Sequence, residues 1–139
     1  MRAVLLLSIA TLAACSVPGG MHPGRDHASI SGKIMYPSEV TPQMRICALP
    51  LSGPAVACVD SLAGSTQYHL QNLPAGEYRV VAALSEGEMR VGGHMHQVQC
   101  IRAPCPAQLQ SVTVGAGAQL SGIDLDGFYA AREDFPPLR

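Results

Sequence analysis

Tyr68-His69-Leu70-Gln71-Asn72-Leu73-Pro74-Ala75-Gly76-Glu77-Tyr78-Arg79-Val80-Val81 is the stretch whose reading decides the fold. Pro74 and Gly76 mark a turn, proline by its fixed φ and glycine by its freedom. The apolar runs on either side are too short for helices and suit strands. In the second run, Tyr78, Val80, Ala82 and Leu84 would share one strand face, with Arg79, Val81 and Ala83 on the other, because strand side chains alternate.

Outward from this unit the same rhythm continues. Runs of four to eight residues predict strands over 29–36, 44–49, 56–61, 67–71, 77–84, 93–100, 108–114 and 119–125, with turn residues in most of the gaps. No helical stripe of convincing length interrupts them, although Asp126-Gly127 could close a strand before a short helical turn. The expected fold is all-β, a small antiparallel β-sandwich of about seven or eight strands.

Composition agrees. Charged residues make up 14% of the chain, well below the roughly 25% of an average domain, while glycine and proline are plentiful. The formal charge of −1 predicts neither a nucleic-acid patch nor a polybasic membrane face.

Cysteines test the strand reading. If Leu51-Ser52-Gly53-Pro54 is a tight turn, Cys47 lies opposite Cys58, Arg45 opposite Asp60, Leu49 opposite Val56 and Ile46 opposite Val59, a set of favourable cross-strand pairs. Of the three connectivities four cysteines allow, this selects Cys47 with Cys58, and leaves Cys100 and Cys105 to close the loop Ile101-Arg102-Ala103-Pro104. Disulfides imply an exported protein.

The N-terminus supports export. Arg2 precedes an uncharged, mostly apolar run from Ala3 to Ala14 that ends in small residues, the layout of a signal peptide, and the run is shorter than a spanning helix needs. Leu12-Ala13-Ala14-Cys15 resembles the lipobox of bacterial lipoproteins. The resemblance implies cleavage before Cys15, diacylglycerol on its thiol and a fatty acyl chain such as palmitate on the new N-terminus; Ser16 after the cysteine implies the outer membrane, the domain facing the periplasm. Residues 15–27 then form a lipidated flexible tether, 28–126 the sandwich and 127–139 a C-terminal tail.

The opening stretch resembles the central signature of carboxypeptidase regulatory-like domains, also called prealbumin-like or transthyretin-like sandwiches. Ile30-Ser31-Gly32-Lys33-Ile34, Val112-Thr113-Val114 and Gly122-Ile123-Asp124-Leu125 fit that family's first and last strands. The family implies a non-catalytic neighbour of other machinery. Its hydrolase branch ends in Tyr-Arg-Gly-Ser, whereas this chain ends Pro136-Pro137-Leu138-Arg139.

Three sets of residues carry binding chemistry. His94 and His96 would point to one side of a strand, at a spacing copper or zinc could share, with Cys100 on that face and Met21, His22 and His27 in the tether; an exposed polar strand end has the same pattern. Arg102, in a disulfide-closed loop, could enter a protease or lysozyme cleft, though small loops also simply connect strands. His69 has no acid or nucleophile at a telling spacing, and no catalytic motif is present. The expectation is an accessory module with a protein or glycan partner in the cell envelope, no resident cofactor and no enzyme activity.

Overall fold

The computed structural model of the chain describes residues 27–84, 90–95, 108–128, 135, 136 and 138. Among them are eight strands and no helix: β1 (Ala28–Lys33), β2 (Met44–Pro50), β3 (Ala57–Asp60), β4 (Gln67–Leu73), β5 (Gly76–Leu84), β6 (Arg90–Gly93), β7 (Ser111–Val114) and β8 (Gln119–Leu120). They form two sheets, one ordered β4-β1-β8, the other β3-β2-β5-β6 with β7 also paired to β5. The pairing is antiparallel except between β1 and β8. This is the expected small β-sandwich.

The Leu73-to-Gly76 turn carries the chain from one sheet to the other. Before it, β4 bulges opposite β1, and Asn72 takes a φ of 60°, a left-handed conformation that asparagine tolerates better than most residues. After it, the buried Tyr78 ring donates its hydroxyl to the Pro74 carbonyl at 2.8 Å. A buried phenol needs such a partner, and this one fixes the arch between the sheets.

The main core lies between the sheets. Ile30, Leu70 and Leu73 from one side meet Met44, Ile46, Val80 and Ala82 from the other. The five-stranded sheet is also covered on its outer face, where Cys47, Leu49, Val81, Met95 and Phe135 form a second cluster. Phe135, within the stretch expected as a tail, is only 2% exposed.

The β2–β3 register places Arg45 opposite Asp60, Ile46 opposite Val59 and Cys47 opposite Cys58, as the turn predicts. Cys47 and Cys58 are disulfide-bonded. The fourth expected pair does not form: the ladder ends at Ala48 with Ala57, and the Val56 amide donates to the Ala48 carbonyl at 3.1 Å. On its other edge β2 continues to pair with β5, Leu49 opposite Arg79; Leu49 is buried, while Val56 stands in solvent.

β1 ends and β7 begins three residues inside their expected bounds, and two strands depart further. β6 covers Arg90–Gly93, where the expected strand began only at Gly93; residues 96–100 of that strand lie outside the described residues, and Gly92 and Gly93 form a packing surface. A Cβ at Gly92 would lie 2.3 Å from the Phe128 ring. β8 is regular for two residues and then follows β1 as a looser strap, with the Ile123 amide donating to Ser31 at 3.1 Å and the Leu125 amide to Lys33 at 2.8 Å. Gly32 permits that approach, since a Cβ there would sit 2.1 Å from the Ile123 carbonyl oxygen.

Candidate functional site

Residues 123–127 join the two sheets, and the polar chemistry of the domain gathers around them. Beyond its bonds to β1, this strap reaches β6, where the amides of Asp126 and Gly127 both donate to the Gly93 carbonyl at 3.2 Å. Asp124 Oδ1 accepts from the Lys33 amide at 2.8 Å. Asp126 Oδ1 accepts from the Met95 amide at 3.1 Å. From the core side, the Tyr68 hydroxyl donates to the Ile123 carbonyl at 2.5 Å. Burial first, and then the negative charge of Asp124, push the Tyr68 phenol well above its ordinary range.

His94 sits at this seam in a bend following β6. Its amide donates to the Val80 carbonyl at 2.9 Å, and its carbonyl accepts from the Gln110 amide at 2.9 Å. Its ring Nδ1 is 2.8 Å from the Asp124 carbonyl oxygen. A carbonyl can only accept, so Nδ1 carries a proton, and in the neutral imidazole the lone pair is then on Nε2. Metal-bound histidines are commonly oriented this way. Among the described residues, however, no group of three or more histidine, cysteine, aspartate or glutamate side chains is placed to hold a metal. His96, the expected partner of His94, lies outside the described residues, as do Met21 and His22; His27 is exposed.

Cys15, Cys100, Cys105 and Arg102 also lie outside the described residues, so lipidation, the second disulfide and the Arg102 loop remain expectations. Of the paired cysteines, Cys47 is buried and Cys58 exposed. The neighbouring Arg45–Asp60 ion pair, at 3.5 Å, is more than half exposed on both sides and contributes at most about 1 kcal/mol.

Among the described residues, two groups of exposed side chains stand out. On the outer face of the three-stranded sheet, Lys33, Gln67, His69, Gln71 and Gln119 are exposed; the Gln71 side-chain amide donates to His69 Nδ1 at 3.3 Å. At the end of the sandwich away from Ala28, Met35, Val40 and Leu62 are 55%, 64% and 75% exposed, with the loops of the latter two tied by the Gly64 amide donating to the Thr41 carbonyl at 2.7 Å.

Sequence reasoning missed Asp124 and Asp126, whose roles depend on a strap that crosses between sheets; the faint signal is glycine at 122 and 127 on either side of Ile-Asp-Leu-Asp. Comparison with models of known protein families finds none that matches the chain, and comparison with characterised proteins finds no significant match.

Proposed function

We propose that this chain is a lipid-anchored, non-catalytic module of the bacterial envelope that contacts a protein or glycan partner. The observation that carries the reading is the lipobox-like Leu12-Ala13-Ala14-Cys15, followed by a turn-rich segment from Ser16 to His27 and then by the sandwich, which begins at Ala28. A segment of that length stretches to about 40 Å, enough to hold a folded domain clear of a lipid surface.

What supports a binding role is the division of labour among the polar groups. His94, Asp124, Asp126 and Tyr68 are engaged in joining the sheets, while the face carrying Lys33, His69 and Gln119 is open. We further read the sandwich as related to carboxypeptidase regulatory-like domains, on the strength of the Leu73-to-Gly76 arch and Tyr78.

The test has two arms. In cells given labelled palmitate, the full chain should take up label and fractionate with the outer membrane, while Cys15→Ser should be unlabelled and soluble. A Cys15→Ser chain still bound to membranes overturns the anchor. A photo-cross-linking side chain at Lys33 or Gln119 should give a discrete adduct, and its absence at both positions would count against the open face as the contact surface.

A second reading has one observation in its favour, the bond from His94 Nδ1 to the Asp124 carbonyl, which in the neutral ring leaves Nε2 as the ligating nitrogen. In it, His94 and His96 hold copper or zinc. After dialysis against a chelator, the intact protein should bind metal on titration, and His94→Ala should abolish that binding. No binding at micromolar metal removes this reading.

A further inference from the structure

The free edges of the two sheets are unequally guarded. β3, at the edge of the larger sheet, is four residues long and ends in Asp60, which pairs with Arg45. Short strands and charges are how sheet edges avoid pairing with other chains. β4, at the edge of the smaller sheet, is seven residues long, and the sequence from Ser61 to Gly76 contains no aspartate, glutamate, lysine or arginine.

Hydrogen-bond parity shows which groups this edge presents. The Ile34 amide donates to the Thr66 carbonyl at 2.9 Å, and the register then pairs Gly32 with Tyr68 and Ile30 with Leu70. Thr66, Tyr68 and Leu70 thus direct their backbone groups towards β1. By the alternation of an antiparallel ladder, Gln67, His69 and Gln71 direct theirs away from β1, where β4 has no strand paired to it among the described residues. Their side chains are exposed, while Tyr68 and Leu70 face the core.

We propose that β4 pairs with β4 of a second copy of this chain, antiparallel, about a two-fold axis through His69. The strand is complementary to itself in that register: Gln67 meets Gln71 of the second copy, His69 meets its own equivalent, and Tyr68 lies beside Leu70 of the second copy on the core side. Three residues on each copy exchange about six backbone hydrogen bonds, two for each facing pair. The bulge at Asn72 ends the pairing at Gln71 and so limits it to one register. Self-complementarity of this kind is what a two-fold interface requires. It favours a second copy over an unrelated extended peptide, and it concerns a different surface from the outer face proposed above.

The experiment uses the full chain in its host envelope and then in detergent. His69→Cys should give a disulfide-linked dimer on a non-reducing gel. Gln119→Cys, on β8 and about 24 Å from its equivalent across five strand spacings, should not. By light scattering, the wild type and His69→Gln should be dimers, whereas His69→Lys, which sets two like charges opposite each other, should weaken the dimer about fivefold. Absence of a cross-link at position 69, equal cross-linking at 69 and 119, an adduct with another protein in place of the dimer, or a dimer unmoved by His69→Lys would each overturn the proposal.

Discussion

In β5, Val80 and Ala82 face the opposing sheet while Val81 packs with Phe135 on the other side; in β4, Tyr68 and Leu70 are buried while Gln67, His69 and Gln71 stand in solvent. The difference is already present in the residues. Val80-Val81-Ala82-Ala83-Leu84 is a continuous apolar run, which marks a strand covered on both faces, and Gln67-Tyr68-His69-Leu70-Gln71 alternates, which marks a strand covered on one. A run of the first kind demands a layer that the two sheets do not supply. Phe135, with Met95, Leu109 and Leu138, is that layer; among the described residues the outer face of the smaller sheet has no such layer.

If the outer layer carries this burden, removing it should have the largest effect. Phe135→Ala should lower stability by about 3 to 5 kcal/mol, the usual range for a buried phenylalanine, measured by urea denaturation. A loss below about 1 kcal/mol would mean that the second cluster adds little and that the two sheets differ less than their burial implies.

The next effect belongs to the disulfide on the same face. Cys47 and Cys58 are 11 residues apart in sequence, and closing a loop of that size stabilises by about 3 kcal/mol in the chain-entropy model. The double variant Cys47→Ala/Cys58→Ala should shift the denaturation midpoint by a corresponding amount, and an unshifted midpoint would show that strand pairing alone sets the register.

Most of this architecture was legible in the sequence, for reasons that differ between elements. The β2–β3 register could be read because a four-residue turn and several cross-strand pairs agreed, and it failed at Leu49 and Val56, where the Val56 amide turns to the Ala48 carbonyl and the hairpin loop opens one pair early. β6 reaches Gly93 from Arg90, earlier than the expected strand, because two glycines in a row give no side-chain alternation to read, and their lack of a side chain serves Phe128 and Leu109. The seam was the least legible part, marked only by glycine at 122 and 127. Asp124 and His94 are brought together by a strap whose path depends on both sheets, and no local pattern encodes that meeting.

Alkali probes the seam. Because burial and Asp124 raise the Tyr68 phenol above its unfolded value, the folded state keeps that proton when the unfolded chain gives it up. Its contribution is fully present below about pH 10, the ordinary tyrosine value, and is lost as pH rises beyond it, by at most about 1.4 kcal/mol per pH unit. Tyr68→Phe should cost about 1 kcal/mol at neutral pH, where the bond to Ile123 is lost, and should flatten the alkaline fall. An equally steep fall in the variant would place the titrating group elsewhere.

The smallest effects should come from the open face. Lys33→Ala and Gln119→Ala remove exposed side chains, and substitutions of that kind stay within about 0.5 kcal/mol. Their value lies in contrast with Phe135→Ala: two outer faces, one bearing stability and the other free of it. A binding surface must be free in this sense, because side chains already committed to packing cannot be given to a partner without unfolding the domain. A loss above about 1 kcal/mol at Lys33 or Gln119, twice what an uncommitted surface residue gives, would mean that this face, too, is covered. The proposed contact would then move to the exposed end formed by Met35, Val40 and Leu62.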